Sequence, residues 1–229
     1  IPKENFDYYS EKVLYLPSCY QANMSQKDIS TKNFKRSDFG LPDNAFVYCS
    51  FNNNYKITPH IFDIWMNILK KVPNSVLWIF KSNEIASKNL KKETEERGVD
   101  PKRIIFASYL PNEEHLKRIP LADLFLDTFP YNAHVTASDA IRMGVPILTL
   151  TGNSFASRVG ASILTCIGIK ELITSNKIEY QEIGIELAIK PDKLNKLKNR
   201  IKNTVSKSPL FDSQKFTKNL ENIYLNLLN

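Results

Sequence analysis

The chain has 229 residues, with 31 lysines and arginines against 24 acidic residues and a formal net charge of +7. This length allows one domain with a sizeable core, and the 42% hydrophobic content is typical of a globular protein. No run approaches the ~18–20 apolar residues of a membrane-spanning helix, and the N-terminal residues do not resemble a secretory leader, so we expect no membrane partner.

The positive charge is concentrated in two lysine clusters, at 88–92 and 190–202. Both lie on predicted helices and alternate with Leu, Ile and Asn, without interleaved aromatic residues. Such faces are typical of solvated helix surfaces, so we expect no nucleic-acid partner.

The cysteines are odd in number and have no metal-type spacing: Cys19, Cys49 and Cys166. This usage is typical of a reducing compartment, and we expect a cytoplasmic protein. Cys49 lies inside an apolar run and is predicted to be a core residue. Because the chain begins with Ile1 rather than Met, we expect it to be a piece of a longer protein.

Residues 1–40 are interpreted as a connector. A short strand is predicted at 12–16, closed by Pro17, and the sequence then becomes polar up to the Gly-Leu-Pro at 40–42. We expect this segment to be extended and to pack on a neighbouring domain.

Residues 41–190 alternate between short apolar runs and amphipathic stretches, which predicts a doubly wound α/β domain with a parallel sheet. Thr58 and Pro59 are a typical helix start, and Gly98 a typical helix stop. The predicted strands are 45–51, 76–80, 103–106, 124–126 and 146–150. The predicted helices are 59–71, 84–98, 111–119, about 136–143 and 177–190.

Two further helices, 191–207 and 212–228, form a predicted C-terminal region (191–229) that packs on the domain. The small residues in the run GNSFASRVGASIL at 152–164 are suited to close helix packing.

Several common motifs are absent from the sequence. No G-x-G-x-x-G follows the first strand, and there is no G-x-x-x-x-G-K-[ST], so neither a dinucleotide site nor a P-loop is predicted. There is also no G-x-S-x-G and no His/Cys metal cluster.

Polar residues are concentrated after the fourth predicted strand, where Asn132, His134, Thr136, Ser138 and Asp139 fall within eight positions. In parallel sheets, ligands bind where strand carboxyl ends meet helix N-termini. The Thr136-x-x-Asp139 spacing has two interpretations: a capping box, or a site where Thr136 holds a diphosphate and Asp139 accepts hydrogen bonds from a ribose.

Two other rim residues also have alternative interpretations. Lys56 follows the first strand and could neutralise a diphosphate, aided by Asn53, or be an ordinary loop lysine. His115 and Arg118 share one helix face, but that helix could instead be solvent-exposed with a Glu114–Arg118 ion pair. His60, in the first turn of a helix, is interpreted as a surface residue.

The run NAHVTASDAIRMGVP resembles the nucleotide-sugar motif of B-type glycosyltransferases. The longer string LDTFPYNAHVTASDAIRMGVPILTL is similar to the O-linked N-acetylglucosamine transferase family. Three further blocks are also similar: FNNNYKITP at 51–59, LPNEEHLKR at 110–118 and FASRVGASIL at 155–164.

This resemblance implies the Rossmann-like C-terminal half of the catalytic unit, with residues 1–40 joining it to an N-terminal half. Lys56 would be the catalytic residue, acting on the diphosphate, and His115 would stack near the uracil. Asn53 stands in place of a Gln, and Asn112 in place of a Lys that reaches the ribose in animal members. The implied UDP-sugar contacts are Asn53, Lys56, Leu110, His115, Arg118, His134, Val135, Thr136 and Asp139.

The implied reaction is transfer of N-acetylglucosamine from UDP-N-acetylglucosamine to Ser or Thr of a protein. The absence of a D-x-D motif agrees with metal-independent transfer, and no cofactor is expected. The resemblance places the protein acceptor and tetratricopeptide repeats in the N-terminal portion. Two alternatives stay open: a cytoplasmic N-glucosyltransferase using UDP-glucose on asparagine, and a non-catalytic nucleotide-binding or interaction domain.

Overall fold

The computed structural model describes residues 1–228, which contain a six-stranded parallel sheet. Its strands lie in the order β3-β2-β1-β4-β5-β6, so the direction of winding reverses between β1 and β4. The predicted doubly wound α/β fold is confirmed. The strands are β1 (Phe46–Ser50), β2 (Ser75–Phe80), β3 (Ile104–Ala107), β4 (Leu124–Leu126), β5 (Ile147–Leu150) and β6 (Ile173–Thr174).

Eight α-helices flank this sheet within the described residues. They are α1 (Pro59–Lys71), α2 (Glu84–Glu96), α3 (Asn112–Arg118), α4 (Val135–Arg142), α5 (Val159–Cys166), α6 (Lys177–Ile189), α7 (Pro191–Val205) and α8 (Ser213–Leu228). Helix α1 contacts α6, whereas α4 contacts α5 and α7. Right-handed connections on the two sides of the winding reversal place α1 and α4 on opposite faces of the sheet.

The central strands are buried on both faces, which explains why they are continuous apolar runs rather than alternating ones. Every residue of β4 and β5 is buried, and Cys49 in β1 is fully buried, as predicted. Helix α1 begins where the sequence predicts, because the Ile61 N–H donates to Thr58 Oγ1 and Pro59 occupies the first turn. Gly98 follows α2 with a φ of +70°, a conformation that favours glycine.

Two strand predictions are wrong. Residues 12–16 form no strand: Leu14 and Tyr15 are exposed, and neither edge of the sheet pairs with this segment. Conversely, β6 was not predicted, because two paired residues give no detectable periodicity.

The N-terminal segment follows the surface of the domain. Gln21 donates to Ser138 Oγ on α4 (3.0 Å), and the Ser30 N–H donates to the Glu113 carbonyl on α3 (3.2 Å). Both contacts lie within the chain itself, so the expected packing on a neighbouring domain stays a prediction.

At the other end, α7 buries Leu194, Leu197 and Ile201 against the domain, whereas none of the α8 side chains is fully buried. Asn229, the last residue of the predicted C-terminal region, lies outside the described residues. The division into 1–40, 41–190 and 191–229 also stays a prediction. Among residues 1–228, none of the helices has both the length and the apolar character needed to cross a bilayer.

Helix α5 approaches β5 closely at Gly160, in the run of small residues that the sequence analysis singled out. A Cβ at this position would lie 2.4 Å from Thr149 Oγ1 and 2.6 Å from Asp127 Oδ2. Neither atom belongs to a long flexible side chain, so the glycine permits the close approach.

We expect Gly160→Ala to lower the free energy of unfolding by about 1–3 kcal/mol, because overpacking moves a buried hydrogen-bonded pair. Urea denaturation measures this change. Gly184→Ala is the control: the nearest atom to its Cβ would be Cδ1 at the flexible end of Ile68, at 2.9 Å. Equal stability of the two variants would contradict the close-packing argument.

Candidate functional site

A cleft of about 500 Å³ opens at the carboxyl ends of β1 and β4, where the strand order reverses. The loop after β1, the start of α3 and the start of α4 form its walls. Of the nine predicted site residues, the structure brings eight together in its lining: Asn53, Lys56, Leu110, His115, Arg118, His134, Val135 and Thr136. Asn112 lines it too, while the ninth, Asp139, does not.

Lys56 is a buried residue, with only 9% of its surface exposed. Its Nζ donates to the Asn132 carbonyl at 2.9 Å and lies 3.8 Å from the centre of the Tyr131 ring. Burial lowers the pKa of Lys56, and the Asp127 carboxylate partly opposes this effect. The interpretation as an ordinary loop lysine is therefore wrong. No carboxylate within residues 1–228 forms a salt bridge with this ammonium, so its charge is available to an anion in the cleft.

The start of α4 is tied to the end of β1 through Asn52, which is buried. The Thr136 hydroxyl donates to Asn52 Oδ1 (2.9 Å), and Asn52 Nδ2 donates to Thr128 Oγ1 (3.0 Å). No side chain caps α4, whose N-cap is His134. The first N–H groups of a helix have no partner within it, so this end of α4 is suited to an anion.

Of the two interpretations of Thr136-x-x-Asp139, the structure contradicts the capping box. Helix α4 begins at Val135, so Thr136 lies inside the first turn, and Asn52 takes its hydroxyl hydrogen. Asp139 instead accepts from Lys27 Nζ at 2.5 Å, and both side chains are largely buried.

The other end of the cleft is built around His115 and Arg118. Arg118 is 1% exposed, and its Nε and Nη2 donate to His115 Nδ1 at 3.1 and 2.9 Å. A third bond runs from Nη1 to the Ser108 carbonyl (2.6 Å). The predicted Glu114–Arg118 ion pair is wrong, because Glu114 pairs with Lys32 from the N-terminal segment.

This arrangement fixes the charge and the tautomer of His115. Burial, together with the positive charges of Arg118 and Lys27, lowers the pKa of His115 to about 4. The ring is therefore neutral at physiological pH. Since Nδ1 accepts from Arg118, the ring hydrogen lies on Nε2. His60, as expected, lies on the surface.

His134 lies between the N-terminal segment and the cleft. Its Nδ1 is 3.0 Å from the Tyr20 hydroxyl, and its Nε2 is buried without a hydrogen-bond partner in the described part of the chain. Burial and the nearby charge of Lys56 lower the pKa of His134.

Sequence reasoning missed several residues of this region. Asn52 and Asp127 each follow a buried strand, and this position could have identified them. Tyr131 is one residue before the polar cluster at 132–139. Lys27 gave no signal, since it is one lysine in a polar segment. Within residues 1–228, no group of three or more potential metal-ligating side chains is present.

Sequence comparison relates the chain to known glycosyltransferases. The chain is 36% identical over 234 residues to the probable UDP-N-acetylglucosamine–peptide N-acetylglucosaminyltransferase SEC of Arabidopsis thaliana, covering 100% of this chain and 24% of that protein. It is 37% identical over 188 residues to the UDP-N-acetylglucosamine–peptide N-acetylglucosaminyltransferase of Caenorhabditis elegans, covering 82% of this chain and 16% of that protein. The chain thus spans about a quarter or less of the length of these relatives.

One solved structure supports the same relationship, and a second shares the fold. A mutant of the O-GlcNAc transferase of Thermobaculum terrenum superposes with a TM-score of 0.83 at 26% identity, covering 97% of this chain and 42% of that one. Anabaena Alr3699/HepE, solved in complex with UDP and glucose, superposes with a TM-score of 0.61 at 15% identity, covering 82% of this chain and 51% of that one. The second likeness shows the fold alone.

The resemblance found in the sequence motifs is confirmed by a family model that matches most of the chain. The model of glycosyl transferase family 41 matches residues 18–220, which include every strand, the whole cleft and most of the N-terminal segment. The alignment to the Arabidopsis protein covers the whole of this chain. Together with the family match, it shows that the chain belongs to glycosyl transferase family 41.

Proposed function

We propose that this chain is the UDP-sugar-binding part of a protein O-glycosyltransferase that transfers N-acetylglucosamine from UDP-N-acetylglucosamine to Ser or Thr. Family membership and the names of the curated relatives support this proposal. The observation that carries it is the buried Lys56 ammonium, which lies at the winding reversal without a carboxylate partner among residues 1–228. An unpaired buried cation at this edge of the sheet is suited to a diphosphate.

The two ends of the cleft suit the two ends of a nucleoside diphosphate. Lys56 and the uncapped start of α4 provide positive potential for the phosphates. The neutral His115 ring, held in place by Arg118, suits the uncharged uracil base. Asn53, Leu110 and Val135 lie along the cleft between or beside these ends and would contact the rest of the donor.

The chemistry assigned to this chain is electrostatic. As the glycosidic bond breaks, negative charge grows on the β-phosphate of the leaving UDP, and Lys56 stabilises it together with the N–H groups at the start of α4. The expected mechanism requires neither a metal ion nor another cofactor. Arg118 is almost fully buried behind His115, so it acts on the donor by orienting that ring.

The acceptor belongs to another part of the enzyme in this proposal. In this proposal none of the described side chains of the cleft is assigned as the general base for a Ser or Thr hydroxyl. We assign acceptor binding to an N-terminal catalytic part outside these 229 residues, as the length of the relatives supports, and place the whole enzyme in the cytoplasm.

The first test is UDP binding to this chain, measured by calorimetry. UDP should bind at least tenfold more tightly than uridine, since Lys56 and the α4 N-terminus interact with the phosphates and not with the nucleoside. The chain alone should transfer no sugar to a peptide. Equal affinities for UDP and uridine would contradict the phosphate site, and robust transfer by this chain would contradict the missing acceptor site.

A second test concerns the catalytic role of Lys56 in the complete enzyme. Lys56→Ala should lower kcat by roughly 10²–10³, the scale of removing one preorganised stabilising group, with a smaller change in KM. Lys56→Arg should restore little, because a planar guanidinium does not replace a compact ammonium. Lys81, which follows β2 and is partly exposed, is the matched control, and Lys81→Ala should retain normal kcat. A Lys56→Ala enzyme with normal kcat would assign phosphate stabilisation to the α4 N-terminus alone.

A third test separates ribose binding by Asp139 from its ion pair. Asp139 lies outside the cleft lining and pairs with Lys27, so its ribose contact stays a proposal from the family resemblance. If that contact forms with UDP bound, Asp139→Ala should weaken UDP binding by about 10–100-fold, the loss of a hydrogen bond to a charged acceptor (~1.5–3 kcal/mol). Lys27→Met removes the same ion pair but keeps the carboxylate, so it should lower stability while changing UDP affinity less than Asp139→Ala does. Calorimetry and urea denaturation give the two quantities. Equal losses of affinity in both variants would mean that Asp139 has only a structural role.

A further inference from the structure

The loop that follows β4, residues 128–133, is closed at its base by one carboxylate. Asp127 is fully buried, and its Oδ1 accepts from the Thr128 N–H (2.8 Å) and from the Ala133 N–H (2.6 Å). These two N–H groups stand at the two ends of the loop. Asp127 therefore fixes where the loop leaves the sheet and where the chain enters α4.

The same loop holds the Lys56 ammonium. Asn132 bonds back to the Thr128 carbonyl through Nδ2 (2.8 Å), and its own carbonyl accepts from Lys56 Nζ (2.9 Å). The Tyr131 ring provides the second contact of the ammonium. Both groups that position Lys56 thus belong to the loop that Asp127 closes.

Asp127 also contributes a charge that hydrogen bonding alone does not require. Its Oδ2 accepts from Thr149 Oγ1 (2.7 Å), and no Lys, Arg or His among residues 1–228 forms a salt bridge with it. An asparagine could accept from the same two N–H groups through Oδ1 and donate from Nδ2 to the Thr149 hydroxyl, at a lower cost of burial. The positive charge that acts on this carboxylate is that of Lys56.

Two other ionisable groups, Tyr180 and His134, lie near Asp127 and Lys56. The Tyr180 hydroxyl donates to the Asp127 carbonyl (3.0 Å), and burial together with Asp127 raises the pKa of that phenol well above its usual range. His134, at the start of α4, is affected by the charge of Lys56. Burial raises the pKa of Asp127 itself to about 7, while its three hydrogen bonds and Lys56 oppose the rise.

We propose that Asp127 is a positioning residue of the diphosphate site, whose buried carboxylate ties the ends of loop 128–133 and supports the charge of the Lys56 ammonium that this loop holds. A partly desolvated ammonium tends to lose its proton, and a carboxylate behind the loop opposes this tendency. Because the carboxylate forms no salt bridge with Lys56, the ammonium stays available to a phosphate. This inference rests on the proposed role of Lys56 in binding the diphosphate.

The test uses the charge-neutral variant Asp127→Asn in this chain, with Lys56 followed by NMR titration of labelled lysine side chains. Removing the carboxylate should lower the pKa of Lys56 by about one unit, the scale of a nearby opposite charge. Thr149→Val is the control for the hydrogen bond: it leaves the carboxyl group in place but removes a bond that lowers the pKa of Asp127, so the two variants are compared at alkaline pH, where this carboxylate is charged. The pKa of Lys56 should stay unchanged in Thr149→Val. An unchanged pKa of Lys56 in Asp127→Asn would overturn the proposal.

A reciprocal measurement covers the case in which Asp127→Asn fails to fold. In Lys56→Met, with the carboxyl carbons of aspartate labelled, the pKa of Asp127 should rise by about one unit, because the opposing positive charge is gone. An Asp127 titration identical to that of the unmodified chain would also overturn the proposal.

The pH dependence of UDP affinity then tests whether the coupling of Asp127 and Lys56 affects ligand binding. The loss of UDP affinity at alkaline pH should begin about one pH unit lower in Asp127→Asn than in the unmodified chain, following the pKa of Lys56. The same onset in both proteins would overturn the positioning role. An unmodified chain that binds no UDP at any pH would instead contradict the proposed function, while the two titrations would still decide the Asp127–Lys56 coupling.

Discussion

The hydrogen bond from Lys56 to the Asn132 carbonyl joins the two halves of the sheet, β3-β2-β1 and β4-β5-β6. One partner follows β1 and the other follows β4, and these strands are neighbours only because the strand order reverses between them. A second link, from Thr136 to Asn52, crosses the same boundary. These two hydrogen bonds position Lys56 and the start of α4 at the edge of the cleft. The site therefore depends on the order of the strands as well as on the residues that line it.

The two ends of the cleft differ in charge: Lys56 carries a positive charge and His115 is neutral. At Lys56, burial lowers the pKa of the ammonium, and the Asp127 carboxylate opposes this effect. At His115, burial of the ring and the positive charge of the neighbouring Arg118 lower the pKa and keep the imidazole neutral. A ligand that is anionic at one end and uncharged at the other matches both conditions, which agrees with a nucleoside diphosphate and disfavours a ligand charged along its whole length.

Much of the fold could be predicted because buried parallel strands are continuous apolar runs and α1 carries its own start signals. The charge state and partners of the site could not. Whether Lys56 is buried depends on Tyr131 and Asn132, which lie some 75 positions later and are brought near by the sheet. The capping-box interpretation does not hold because α4 begins at Val135, with His134 rather than Thr136 as its N-cap. Lys27 became visible only through its contact with Asp139.

The N-terminal segment bridges α3 and α4, the two helices whose first turns face each other across the cleft. Its Ser30 bonds to the Glu113 backbone, Lys27 to Asp139, and Gln21 to Ser138. The width of the cleft is therefore held by residues that do not line it. A truncation at residue 41 would retain every strand yet remove these three contacts, all of which lie within the family match that begins at residue 18.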